Sequence, residues 1–281
     1  MTLIVGRGHT SMPQALTGIP PFPAVAIRAL KFLSNESGQL RALSELIATD
    51  TALSGEILRV VNSPLVGLRN EISSILQAIV LLGLEHVKGV VLTIATKSYL
   101  GNSLEIPALR ACWRHSLACA VIAKELAPLS LVEPDVAYTA GLLHDIGRLG
   151  LVATYPRKYA DFLTSVEKEP GNALQRERGL FGIDHCQAGG QLVTYWKLPR
   201  VFIAVTSRHH EAAVDGEPTL LSIVRSSCRM ADALGFSVSR PLQIMNYEEV
   251  LSKLPARERD QLPREPTKLE RSIAIQVNSI E

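Results

Sequence analysis

Several features that would assign a chain quickly are scarce here. Aromatic residues make up only 5% of the 281 positions, and the four cysteines, Cys112, Cys119, Cys186 and Cys228, include no C-x-x-C pair. That sparse spacing argues against a disulfide framework. Lys and Arg form no run and the formal net charge is +2, so nothing along the chain signals a nucleic-acid surface. The apolar stretch near Val90 to Ala95 is bracketed by Lys88 and Lys97 and, like the others in the chain, is too short to span a bilayer. The opening MTLIVGRGHTSMPQ lacks the charged-then-apolar pattern of a secretory leader. These absences lead to the expectation of a soluble, cytoplasmic protein with reduced thiols and no membrane contact. Low-complexity tracts, tandem repeats and strand-like alternation are missing as well.

What is present is helical periodicity over a composition that is 47% hydrophobic and 20% charged, ample for a packed core. Asp50 offers an N-cap for a helix carrying Leu53, Ile57 and Val61, which Asn62-Ser63-Pro64 stops. Ser73 or Ser74 opens another through Ile75, Ile79 and Leu82, closed by Gly83. A long helix follows Pro107 to about residue 127, and another runs from Pro134 to near Gly147. Tyr155 to Glu169 reads as a helix ended by Pro170-Gly171. Asp184 caps a helix to Trp196, Pro199 opens the next, and Pro218 or Thr219 a further one through Asp232. After Gly235 the chain is richer in charge and proline, with one short helix expected near Glu248 to Leu254. The expected class is all-α, a packed array of helices with short connections.

The placement of histidine and aspartate is the main chemical signal. His9 and His86 fall in the lead-in and at a helix start, where solvent contact explains them. The other five, His115, His144, His185, His209 and His210, lie in the second half, with Asp145 and Asp232 among them. Each is expected on a helix, at or beside a core-facing position among small or apolar residues. Burying that many imidazoles and carboxylates uncompensated is costly, and metal ions offset the cost if the groups converge. Taken singly, a histidine on an apolar face more often bonds a main-chain carbonyl, and no H-x-x-x-H or H-E-x-x-H pattern occurs. Cys186 follows His185 by one residue and so points about 100° away on a helix, which makes it a spectator.

WRHS at 113–116, GLLHDIG at 141–147, FGIDH at 181–185, RHHE at 208–211 and MAD at 230–232 carry a recognisable order. It resembles the H…HD…H…HH…D signature of the HD metal-dependent phosphohydrolase superfamily. PPFPAVAIRAL, IATDTALSGEILRVVNSPLVGL and SSILQAIVLLGLEHVKGVVL extend the likeness to the HDOD domain, the HD-related output domain of bacterial signalling proteins. The resemblance implies a lead-in at 1–17, an N-terminal helical lobe at 18–104, an HD-type metal-binding lobe at 105–240 and a tail at 241–281. It implies one divalent ion on His115, His144, Asp145 and Asp232. A second ion would be bridged by Asp145 and held by His185, His209 and His210, the metals being iron, manganese or zinc. Arg148 stands where many active relatives have lysine and would clamp phosphate. RHHEAAVDGEP at 208–218 resembles the loop of HD-GYP phosphodiesterases, with an extra residue before Asp215 and no GYP. The implied function is regulatory: protein partners bind the N-terminal lobe and the metal site takes a nucleotide or another phosphorylated ligand. The alternative is an active metal-dependent phosphohydrolase acting on a nucleotide or cyclic nucleotide.

Overall fold

Helix punctuation in the sequence sets many of the element ends. In the computed structural model, Asp50 accepts from the Leu53 amide to start α3 (Thr51–Val61), after α1 (Ala24–Lys31) and α2 (Ser37–Ala48). Ser74 caps α4 (Ile75–Leu82), and Gly83, with φ of 88°, turns the chain into α5 (Leu84–Leu100). The Asn62 side chain does more than end α3: its amide donates to Ile72 O at 2.9 Å and its oxygen accepts from Ile72 N at 2.7 Å. The structure describes residues 16–31, 37–63, 66–67, 71–169, 171–211, 220–238, 245–254, 256–262 and 265–280. Expectations for the lead-in to residue 15, Pro64, Pro170, Asp215, Pro218 and Thr219 lie outside them.

The second half begins with α6 (Pro107–Leu126), followed by α7 (Pro134–Leu143), α8 (Ile146–Thr154), α9 (Pro156–Lys168) and α10 (Ala173–Phe181). Next come α11 (His185–Tyr195), α12 (Val201–Arg208) and α13 (Leu220–Ala233), then α14 (Tyr247–Ser252), α15 (Ala256–Gln261) and α16 (Pro266–Ile280). No strand occurs among the described residues, so the all-α expectation holds. Nor is any described helix long and apolar enough to cross a membrane. The helix α6 is buried on every face from His115 to Ala123, as a central helix must be. It packs against α7, α13, α9, α8 and α16.

Two glycines let helices meet backbone to backbone. A Cβ on Gly141 would lie 2.7 Å from Ala120 Cα in α6, and one on Gly147 would lie 2.0 Å from His185 O in α11. Only glycine fits either position, and each one draws a site-bearing element into place.

The structure corrects the sequence reading in three places. The helix expected from Pro134 to Gly147 breaks at His144-Asp145, where Asp145 adopts φ −98° and ψ 20°, and α8 continues beyond. The helix α10 was not expected, because ALQRERGLF buries only Glu177 and Phe181 and carries little periodicity. Among the described residues the tail holds three helices rather than one, and α16 seats Leu269, Ile273 and Val277 against the body, four residues apart on one face.

Candidate metal centre

All but one of the side chains singled out in the sequence meet between α6, α7, α8, α11 and α12, the exception being Asp232 on α13. Most sit where helices end rather than along them. His144 and Asp145 occupy the turn between α7 and α8, His185 opens α11, and His209 and His210 form the turn after α12. At helix ends the ladder of main-chain hydrogen bonds runs out, and side chains are free to converge from several directions.

Asp145 is the hub. It is 2% exposed, and its Oδ2 accepts from Arg148 Nε at 2.7 Å. Its Oδ1 is buried without a hydrogen-bond partner. His209 Nε2 lies 3.3 Å and His185 Nε2 3.5 Å from that oxygen, and His144 Nε2 is 3.7 Å from Oδ2. Burial alone would raise the Asp145 carboxyl, but Arg148, His144 and His185 hold it well below the usual carboxylate range.

The far side of each ring decides what Nε2 can do. A carbonyl only accepts, so Nδ1 carries the proton where it meets Phe236 O at 2.8 Å in His115 and Gly141 O at 2.6 Å in His144. The same holds for His209 against Val205 O at 3.1 Å. In His185, Nδ1 donates to Glu177 Oε2 at 2.6 Å. In the neutral ring each Nε2 then presents a lone pair to the interior. Burial keeps His209 below the ordinary imidazole value, so its lone pair faces the lone pairs of Asp145 Oδ1. In the neutral ring, with its proton on Nδ1, His209 Nε2 and Asp145 Oδ1 are two acceptors 3.3 Å apart, an arrangement that suits a divalent cation, as does the mixed imidazole and carboxylate set.

Glu177 is the functional residue that the sequence did not disclose. It is fully buried and accepts from the His185 amide at 2.8 Å, from His185 Nδ1 and from the Tyr159 hydroxyl. Burial raises its carboxyl, but His185 and Arg148 prevail and bring it down to about 2. A carboxylate behind a ligating histidine fixes the ring and strengthens it as a donor. The only signal was its place eight residues before His185, since nothing in ALQRERGLF marks position 177 as core.

Arg148 departs from the role expected of it. Besides Asp145, its guanidinium donates to His185 Nε2 at 3.1 Å and to the Tyr159 hydroxyl at 3.2 Å. Buried and engaged on protein acceptors, it serves as counter-ion to Asp145 and Glu177 rather than as an outward phosphate clamp. His210 Nε2 stands 3.0 Å from His185 Nε2 at the exposed rim.

Asp232 is not brought to the hub. Its carboxylate lies 3.7 Å from Nδ1 of His115, the side of the ring already bonded to Phe236, and its side chain is 37% exposed. One turn earlier on α13, Cys228 joins His115, Cys119 and His144 in a cluster whose donor atoms all lie within 4.8 Å of one another. The hydrogen bond from Cys119 first, and then His144 and His115, hold the Cys228 thiol well below its usual value against the effect of burial. His144 rises to about 9, because Cys228 and Asp145 outweigh the burial of the ring. Cys186, expected as a spectator, also falls in a cluster, with His185, His209 and His210. Its Sγ is 3.9 Å from His209 Nε2, since the step of about 100° from His185 turns it toward the end of α12.

Grooves of about 430 and 410 Å³ lie elsewhere, both bordered by Lys97, Gly101 and Leu104. The second is lined also by Pro23, Leu53 and Ile94 from α3, α5 and the approach to α1.

This fold has known counterparts. A solved HDOD domain protein of unknown function from Geobacter sulfurreducens superposes with a TM-score of 0.71 at 22% identity, covering 93% of this chain and 92% of that one. A protein from Shewanella amazonensis SB2B, provisionally assigned as a phosphohydrolase, gives 0.66 at 22% identity over 95% and 94%. At such identities the likeness is one of fold. An uncharacterized protein of Treponema pallidum (strain Nichols) is 24% identical over 205 residues, 71% of this chain. The chain spans 39% of the length of that curated relative. The sequence model of the HDOD domain matches residues 19–212, from before α1 through the His209-His210 turn. The chain belongs to the HDOD domain family.

Proposed function

We propose that this chain is a signal-transduction regulator whose second half holds two divalent metal ions and, through them, a phosphorylated ligand. The unpartnered Asp145 Oδ1, buried among imidazole lone pairs, is the observation that carries the reading. Asp145, His144, His185 and His209 are the proposed ligands, with His115 and His210 at either end of the cluster. Asp232 joins only on rotating away from the Nδ1 side of His115. Bound there, a divalent ion supplies Lewis acidity toward phosphoryl oxygens and acidifies water.

The protein's own groups do the rest. Glu177 and Tyr159 orient His185, and three main-chain carbonyls orient the other buried rings. Arg148 neutralises Asp145 and competes with a cation for His185 Nε2. That contact favours regulation over turnover: the arginine that would grip phosphate is spent inside the site. The first five helices are the proposed face for protein partners, supported by the groove of about 410 Å³ along α3 and α5.

The test pairs metal titration calorimetry with hydrolysis assays on nucleoside monophosphates, cyclic nucleotides and cyclic dinucleotides. Stoichiometric metal with no hydrolysis is the expected result. Turnover abolished by Asp145→Asn would make the protein a metal-dependent phosphohydrolase instead, and protein that takes up no metal would overturn both readings.

A further inference from the structure

The four donors His115, Cys119, His144 and Cys228 are more than a set of buried neighbours. We propose that they form a tetrahedral site of their own for a thiophilic divalent ion such as zinc. This refines the proposed function: it assigns His115 and His144 to an ion of their own, which needs neither Asp145 nor any phosphorylated ligand.

Distances carry the argument. Zinc–sulfur and zinc–nitrogen bonds of about 2.3 and 2.0 Å, set at tetrahedral angles, place two sulfurs about 3.8 Å apart and a sulfur and a nitrogen about 3.5 Å apart. The Sγ atoms of Cys119 and Cys228 are 3.8 Å apart, and Cys119 Sγ is 3.5 Å from His115 Nε2. No pair in the set exceeds 4.8 Å, so closing the widest edge takes a shift of at most about 1.5 Å. Cys112 shows what a merely packed thiol does on the same helix: its Sγ rests 3.7 Å from Ala108 O, one turn back.

Orientation and scaffold agree with the distances. His115 and Cys119 stand one turn apart on α6 and so share a face. His144 ends α7, and Cys228 lies on α13. Phe236 O and Gly141 O hold the two Nδ1 protons, which leaves both Nε2 atoms as donors. Cys228 is only half-buried while the other three are buried, which opens a route for an ion. Thiols ligate as thiolates, so loading releases their protons to solvent. Mixed thiolate and imidazole ligands select zinc over magnesium or calcium. His144 Nε2 has one lone pair and serves one ion, so this site leaves Asp145, His185 and His209 to the other.

Cobalt(II), added to one equivalent to metal-free protein without oxygen, tests the proposal. The expected spectrum has a sulfur-to-cobalt charge-transfer band and the intense visible bands of tetrahedral cobalt. Both should persist in Asp145→Asn and disappear in Cys119→Ser and Cys228→Ser. A weak, band-free spectrum in the wild-type protein would overturn the proposal, as would a charge-transfer band that survives loss of both cysteines. The wild-type spectrum decides even if a serine variant fails to fold. Cobalt bound without thiolate and lost in Asp145→Asn would overturn this site and leave the proposed function standing. A thiolate spectrum with no further metal uptake would do the reverse.

Discussion

The helices α1–α5 and the helices α6–α13 solve the same packing problem with different materials. The first five bury Lys88, Thr93 and Thr96 as their polar groups, and each finds a partner within a turn of its own helix. The eight that follow bury His115, His144, Asp145, Arg148, Glu177, His185 and His209. Some of their bonds stay within a turn, as from His144 to Gly141 and from His209 to Val205, but others join distant elements, as from Arg148 to His185 and from His115 to Phe236. A core with locally satisfied polar groups holds itself together by apolar area. A core of convergent imidazoles and carboxylates is stable only while every member is paired. The first half is therefore scaffold, and the second is a scaffold built around a charge.

Substituting Gly147 with alanine should break that contrast most severely. The new Cβ meets the His185 carbonyl and Gly189 N, backbone that cannot yield. A loss of about 3 kcal/mol or more is expected by urea unfolding, together with loss of metal binding. Ile57→Ala, at a position with no exposure in α3, should cost a comparable 2–5 kcal/mol or so. Calorimetry should find its metal affinity unchanged, because no site residue is near. Unfolding with saturating zinc sharpens the same point: at about a hundred times Kd the ion adds roughly 2.7 kcal/mol to the wild-type protein. That gain should survive Ile57→Ala in full and shrink in Asp145→Asn, which loses the ion held by the carboxylate.

Glu177→Gln removes the charge behind His185 while keeping the shape. Metal affinity should fall by about 10–100-fold with the helical circular dichroism unaltered. The smallest effect has the opposite sign. Gly55 lies exposed in α3 with nothing within 4 Å of an added Cβ, so Gly55→Ala should stabilise the protein by about 0.5–1 kcal/mol.

The same division governs what could be read from the sequence. Helix ends in the first half are written in local chemistry: the Asp50 and Ser74 caps and the Gly83 stop all stand where the residues put them. The Asp184 cap, with its reciprocal bond to Gln187, was equally legible. Local patterns could not show that His144-Asp145 breaks a helix, because tertiary convergence imposes that turn. Glu177 was hidden for a related reason: its burial comes from Tyr159 and His185, on other helices, while Arg176 and Arg178 on either side of it read as a solvated face. Cys119 and Cys228 are 109 positions apart, and only the packing of α13 on α6 brings their sulfurs together. The helix α16 escaped because Leu269, Ile273 and Val277 make a narrow stripe in a polar segment, enough to dock on α6 but weak as a pattern.

Metal content of protein purified without oxygen, set beside that of Asp145→Asn, tests the central claim most directly. The account predicts stoichiometric divalent metal in the wild-type protein and at least one equivalent fewer in the variant. Wild-type protein free of metal, or a content indifferent to Asp145, would contradict it.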